Sequence, residues 1–138
     1  MGLLDTPCLL LDEKRMNLNI SRLRDRLLSA GVGFRPHLKT AKSIEVSRRM
    51  MPTPHGPATV STLREAEELA DHGVTDITYA VGIAPDKLPR VQTLRSQGVD
   101  LSILLDSVEQ AAAVAAVSDP ADPVPVLIEL DCECHRSG

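Results

Sequence analysis

Apolar and polar residues follow two different periodicities along the chain, and these predict its secondary structure. Short continuous apolar runs are typical of buried strands. Between these runs, apolar residues recur every three or four positions, as they do in amphipathic helices. The predicted strands cover residues 7–11, 33–38, 58–60, 76–81, 100–105 and 126–130. The predicted helices cover residues 12–31, 43–51, 62–73, 85–97 and 107–117.

Residues that start and stop helices support these boundaries. Asp12 is placed to cap the first helix, and Gly31 is placed to end it. Thr62 and Glu65 have the spacing of a capping box at the start of the third helix. We therefore expect these helices to begin and end close to the positions given.

The alternation of strands and helices predicts parallel β-α units and an α/β fold. Strands that are apolar at nearly every position are typical of a sheet covered on both faces. A complete eight-unit barrel takes about 250 residues, whereas this chain has 138. Two architectures fit: an incomplete parallel (β/α) barrel with about six of its eight strands, and an open doubly wound sheet of the flavodoxin type. The polar segment 131–138, which follows the last strand without a helix, favours the incomplete barrel.

Composition and charge argue against several classes of partner. The formal net charge is −4, and no basic stripe or block of Lys and Arg appears, so a nucleic acid or an anionic membrane surface is not expected. No apolar run approaches the roughly 20 residues of a membrane span. The N-terminus lacks the basic start and long apolar core of a secretory signal. We therefore predict a cytoplasmic protein with no nucleic-acid or membrane partner.

The chain has three cysteines, and an odd number argues against a framework of disulfides. Cys132 and Cys134 form a Cys-x-Cys pair that suits a soft metal, but no second Cys or His pair stands at finger-like spacing. We predict no metal site and interpret the pair as two small thiols at a strand end, with a zinc site as the alternative.

The second predicted strand carries unexpected charge. Side chains alternate along a strand, so Arg35, His37 and Lys39 share one face. Three basic groups on a covered face are costly unless they are paired. Active sites of parallel α/β folds lie at the carboxyl ends of strands, where Lys39 stands. A lysine there can form a Schiff base with a carbonyl cofactor; the alternative is an exposed edge strand with solvated charges.

Four segments in order, residues 6–12, 35–43, 59–67 and 129–138, resemble the D-threonine aldolase / D-serine dehydratase family. That family shares its N-terminal barrel with alanine racemase, in the fold type III enzymes that use pyridoxal 5'-phosphate (PLP). The resemblance covers essentially the whole chain. It implies that residues 1–138 are the N-terminal part of a PLP-binding barrel of the alanine racemase type. It also implies that the family's C-terminal β-domain lies beyond Gly138.

The resemblance assigns roles to individual residues. Lys39 matches the lysine that holds PLP as a Schiff base, and Arg136 matches an arginine that contacts the cofactor ring. Glu129 stands where the racemase branch often has a modified lysine carrying a carboxylate, so it is expected to pair with Arg136, with a solvated carboxylate at a strand end as the alternative. His37 is expected to orient Lys39, with a merely packed histidine as the alternative, and His135 is a candidate for contact with cofactor or substrate.

Two departures from the family pattern stand near these residues. Many relatives carry a histidine where this chain has Ala41, which removes a polar group near Lys39. The turn before His135 is usually of the Asp-Gly type, but here it is Glu133-Cys134. These differences affect the surroundings of the expected site rather than Lys39 itself.

The function implied by the resemblance is a PLP-dependent lyase acting on D-amino acids, as an aldolase or a dehydratase. Alternatives are an amino-acid racemase, a non-catalytic PLP-binding homeostasis protein, and an inactive fragment. A divalent metal is conceivable in a longer parent enzyme, but its ligands would lie outside this chain. Family members are often dimers, which implies a homodimer. The residues that select among aldol cleavage, dehydration and racemisation are not in this segment.

Overall fold

The computed structural model describes residues 5–132, which form two compact units. The first unit, up to Phe34, contains helix α1 (Glu13–Ser29). Asp12 caps this helix as predicted, because its carboxylate accepts a hydrogen bond from the backbone N–H of Arg15 at 2.9 Å. Gly31 follows the helix with φ of +66°, a left-handed conformation that glycine adopts without strain.

The strand predicted over residues 7–11 is wrong. The described residues there belong to no strand. A strand forms only where its backbone groups pair with a neighbouring strand, and an apolar run does not reveal whether that neighbour exists.

The second unit, from Arg35 onward, alternates strands with helices as predicted. Its strands are β1 (Ala58–Val60), β2 (Asp76–Gly82), β3 (Asp100–Leu105) and β4 (Val126–Ile128). Its helices are α2 (Ile44–Met50), α3 (Leu63–Asp71), α4 (Leu88–Ser96) and α5 (Val108–Val117). A short 3₁₀ turn over Pro85–Lys87 leads into α4. The predicted boundaries of β1 and β3 are confirmed to the residue.

The strands pair in parallel and in chain order, β1-β2-β3-β4. The strand predicted over residues 33–38 does not form as such: only residues 36–38 lie parallel beside β1, where His37 is bridged to Thr59 and Leu38 donates its backbone N–H to the Thr59 carbonyl at 2.9 Å. A doubly wound sheet reverses its strand order partway across, whereas a (β/α) barrel keeps sequential order. The described strands therefore form part of a barrel, and the flavodoxin-like alternative is wrong.

The two faces of this sheet differ in burial. Along one face, side chains of neighbouring strands pack against the helices and are almost fully buried; they include Ala58, Ile77, Leu101 and Ile103, each 0% exposed. The opposite face carries Thr59, Thr78, Ser102 and Leu104, most of them half-buried. In the described residues the helix-covered face is therefore apolar and buried, whereas the other face carries hydroxyl groups and is more exposed. One Ser or Thr in each of β1, β2 and β3, namely Thr59, Thr78 and Ser102, was the sequence signal for this difference.

The capping box at the start of α3 gives a testable stability effect. Thr62 Oγ1 accepts the Glu65 N–H at 3.1 Å, and Glu65 Oε2 accepts the Thr62 N–H at 3.2 Å. Thr62→Ala is expected to lower the free energy of unfolding by about 1 kcal/mol, since it removes an acceptor for an otherwise unpaired helix N–H. Urea denaturation followed by circular dichroism measures this change.

Thr93→Ala is the matched control for that experiment. The Thr93 hydroxyl donates to the Pro89 carbonyl inside α4, at 2.9 Å, so it caps nothing. Alanine has the higher helix propensity, and the control is expected to be neutral or slightly stabilising. An equal loss of stability in both variants would contradict the role assigned to Thr62.

Candidate functional site

Lys39 is the first residue beyond the carboxyl end of the segment 36–38, and its side chain is exposed. The chain then turns, with the Lys42 N–H donating to the Leu38 carbonyl at 3.4 Å, before α2 begins. Leu38 itself is buried in the core, 5% exposed, and anchors the segment. Lys39 therefore stands at the edge of the sheet where parallel α/β folds place their chemistry.

Arg35 shares the sequence periodicity of Lys39 but lies elsewhere. Its guanidinium forms an ion pair with Asp76 at 2.7 Å and donates to the Ala58 carbonyl at 3.3 Å. Asp76 is the first residue of β2, so this pair stands at the amino ends of the strands. Of the three basic residues predicted on one face, only His37 and Lys39 are brought together at the carboxyl end.

His37 makes contacts with both of its ring nitrogens. Nδ1 accepts the backbone N–H of Lys39 at 3.3 Å, and Nε2 lies 3.3 Å from Ser61 Oγ. Partial burial and the positive charge of Lys39 lower the pKa of His37, against a smaller upward effect of Glu65. A neutral ring that accepts at Nδ1 carries its hydrogen on Nε2, which then donates to Ser61.

Glu129 follows the last residue of β4 directly. Its backbone N–H donates to the Leu105 carbonyl at 2.8 Å, which extends the β3–β4 pairing by one bond, and the residue is half-buried. Lys39 and Glu129 thus end the two outermost parallel segments of the described sheet at the same edge. Arg136 and His135 lie outside the described residues, so the expected pairing of Glu129 with Arg136 stays a prediction.

Ser61 is the residue at this edge that sequence reasoning did not connect to Lys39. It directly follows β1, and its backbone N–H donates to Glu65 Oε2 at 2.9 Å, so the first turn of α3 holds it in place. Its position after a parallel strand was a usable signal. The contact with His37 was not predictable, because the two residues are 24 positions apart in the chain.

A cavity of about 190 Å³ lies beside the Lys39 loop, between α2 and α3. Leu38, Ile44 and Leu69 form its apolar wall, and Lys42 and Glu68 stand at its polar wall. Lys39 does not line it, so this cavity is separate from the amine at the sheet edge.

Residues 5–132 contain neither a cluster of metal ligands nor a helix that could span a membrane. Within residues 5–132, no group of three or more His, Cys, Asp or Glu side chains is arranged to hold a metal ion. Cys132 is a free, exposed thiol, while its predicted partner Cys134 lies beyond residue 132. None of the helices over the same residues has the length and apolarity to cross a membrane.

Comparison with known proteins adds independent findings. The family model described as alanine racemase, N-terminal domain, matches residues 11–138. The D-threo-3-hydroxyaspartate dehydratase of Delftia sp. (strain HT23) is 44% identical over 98% of this chain. The D-serine dehydratase of Dictyostelium discoideum is 30% identical, also over 98%. The chain covers 36% of each of these two relatives.

Solved structures agree with the sequence matches. An alanine racemase-like protein from Idiomarina loihiensis superposes with a TM-score of 0.92 at 48% identity, over 97% of this chain and 36% of that one. The D-threonine aldolase of Filomicrobium marinum superposes with a TM-score of 0.79 at 25% identity, over 97% of this chain and 37% of that one. These matches confirm the alanine racemase type of barrel that the family resemblance implied.

Proposed function

Because the chain belongs to the alanine racemase N-terminal domain family, we propose that it is the cofactor-binding part of a PLP-dependent lyase. In this proposal residues 1–138 supply the N-terminal part of the barrel, and a C-terminal β-domain lies outside them. The chain spans about a third of the length of the curated relatives it matches. The activity below is therefore proposed for the protein to which this segment contributes.

The observation that carries the proposal is the position of Lys39. A primary amine stands exposed at the carboxyl end of a parallel segment, beside a histidine that contacts its backbone. A primary amine is the group that condenses with an aldehyde, and an exposed position lets a ring of cofactor size approach. The described residues thus fit PLP at the point where the group would be bonded.

PLP supplies an electron sink for the bond that breaks in the substrate. The protein's own residues then have three tasks. The Lys39 amine would hold the cofactor at rest and, when free, would accept or return a proton at the substrate's α-carbon. Arg136 is proposed to bind the cofactor ring, with Glu129 orienting Arg136. His135 is proposed to contact cofactor or substrate.

We propose D-amino acids with a hydroxyl group on the β-carbon as substrates. D-serine, D-threonine and D-threo-3-hydroxyaspartate, named in the relatives' descriptions, all share that feature. Loss of the β-hydroxyl as water would make the protein a dehydratase, and cleavage of the Cα–Cβ bond would make it an aldolase. A cytoplasmic location, a homodimer and a divalent metal held outside this chain stay predictions.

Product analysis tests this function. The protein to which this segment contributes is supplied with PLP and incubated with D-serine, D-threonine or D-threo-3-hydroxyaspartate. The L enantiomers serve as controls. A dehydratase releases ammonia and a 2-oxo acid, whereas an aldolase releases glycine and an aldehyde. We expect one of these product pairs from D substrates only. Interconversion of D and L forms without either product pair would contradict the lyase proposal and favour the racemase alternative.

A further inference from the structure

We propose that Ser61 is a positioning residue for Lys39, acting through His37, and that this link opens when His37 is protonated. The inference rests on the role proposed for Lys39 and adds to it a pH-sensitive support. Ser61 lies in the connection between β1 and α3, and Glu65 lies in the first turn of α3, where the sequence predicted only a capping box with Thr62.

The link consists of three consecutive contacts. Glu65 Oε2 accepts the backbone N–H of Ser61 at 2.9 Å and so fixes that residue at the start of α3. Ser61 Oγ lies 3.3 Å from His37 Nε2, and His37 Nδ1 accepts the Lys39 N–H at 3.3 Å. The N-terminus of α3 is thereby connected to the backbone of Lys39. The two 3.3 Å contacts are at the long end of hydrogen-bond distances, so we expect a moderate effect from breaking either one.

The link requires a neutral imidazole with its hydrogen on Nε2. In that tautomer Nε2 donates to Ser61 and Nδ1 accepts from Lys39, so both ring nitrogens are used. Protonation adds a hydrogen to Nδ1, and the ring then faces the Lys39 N–H donor with a donor of its own. The contact with Lys39 is lost, while the contact with Ser61 survives.

Two charged groups act on the ring, one from each element beside it. Lys39, on the same segment, lowers the pKa of His37 in addition to the larger effect of burial, and Glu65, from α3, raises it. Because burial and Lys39 hold the pKa of His37 in the folded protein below its unfolded value, the fold favours the neutral ring, and this preference stabilises the fold above the unfolded pKa. That stabilisation is lost as the pH falls through the folded pKa.

The first test measures the imidazole directly in the full chain without cofactor. Long-range ¹H–¹⁵N correlation spectra give the tautomer and pKa of each histidine, and His37→Gln identifies the His37 signals. We expect the Nε2–H tautomer and a pKa below the ordinary histidine value. Ser61→Ala is expected to raise the Nδ1–H population, whereas Ser61→Thr, which keeps a hydroxyl, restores the wild-type spectrum.

Ser102→Ala is the matched control. Ser102 is a half-buried serine on the same face of the sheet as Thr59, but it lies on β3, two strands away from β1 and the contact with His37. It should leave the His37 signals unchanged. A His37 ring with its hydrogen on Nδ1 in the wild type would overturn the inference. A Ser61→Ala spectrum identical to that of the wild type would overturn it as well.

The second test measures PLP binding as the borohydride-reducible fraction at a series of pH values. We expect Ser61→Ala to weaken PLP binding by about 2- to 10-fold near neutral pH, the effect of losing one hydrogen bond. In the wild type, binding should fall with a midpoint at the pKa measured for His37, and this step should be smaller in Ser61→Ala. If the wild type binds no PLP, the proposed function and this inference fall together. If Ser61→Ala binds PLP as the wild type does at every pH, the inference alone falls.

Discussion

Replacing Lys39 by arginine is expected to abolish covalent attachment of PLP. The variant keeps a long, basic side chain, but its guanidinium does not form a Schiff base with the aldehyde of PLP at neutral pH. The absorbance band of the bound cofactor should disappear, and PLP should be lost on desalting. Turnover in the enzyme containing this segment should fall by about 10³-fold or more, as for other enzymes that lose the group forming the covalent bond.

Lys42→Arg is the matched control for Lys39→Arg. Lys42 lies in the same loop, three residues further along, and is also exposed. It lines the separate cavity between α2 and α3, so its amine is not expected to bond PLP. If Lys42→Arg loses PLP and Lys39→Arg retains it, then Lys42 rather than Lys39 bonds the cofactor, and the role proposed for Lys39 is contradicted.

The second large effect is expected in the core. Ile103 lies in the middle of β3, is 0% exposed, and packs in the helix-covered layer with Val91 and Leu101. Ile103→Ala should lower the free energy of unfolding by about 2–5 kcal/mol, because it removes buried apolar surface and leaves a cavity. Chemical denaturation of the 138-residue chain measures the change.

Leu104→Ala is the control for the difference between the two sheet faces. Leu104 is the next residue of β3, points to the opposite face and is only half-buried. Its partner in the register on β2 is Gly82, which offers no side chain to pack against. The loss of stability should be about half that of Ile103→Ala or less. An equal or larger loss would show that the second face is as well packed as the first.

Much of this fold was predictable because its local signals agree with one another. Ser43, Thr62 and Ser107 each accept a hydrogen bond at the start of a helix, and residues of this type before an apolar pattern are recognisable in sequence. The order of strands and helices then predicted a parallel sheet. A continuous apolar run carries less information, which is why the strand over residues 7–11 was predicted wrongly.

The candidate site was predictable only in part. Lys39 was recognised from the strand end and from the family resemblance, and the structure places it at the carboxyl edge of the sheet. Alternation alone grouped Arg35 with it, yet Arg35 is paired with Asp76 at the other end of the strands. The alternation of side chains along a strand indicates which face of the sheet a residue lies on, but not whether its contacts are at the amino or the carboxyl ends of the strands.

The contacts of His37 show a second limit of the sequence. Ser61 approaches His37 only because residues 36–38 pair with β1, a long-range contact that no local pattern encodes. The capping box of α3 was visible in the sequence. Its Glu65 also holds the backbone of Ser61, but only the pairing of residues 36–38 with β1 brings Ser61 next to His37. Polar contacts between neighbouring strand ends are therefore the part of this site that required the structure.

Mass spectrometry can identify the lysine to which PLP becomes attached. The chain is incubated with PLP, reduced with borohydride, digested and sequenced in the spectrometer. We expect one pyridoxyl group, on the ε-nitrogen of Lys39, with Lys42 and the other lysines unmodified. A pyridoxyl group on a different lysine, or none on the reduced chain, would contradict the role proposed for Lys39.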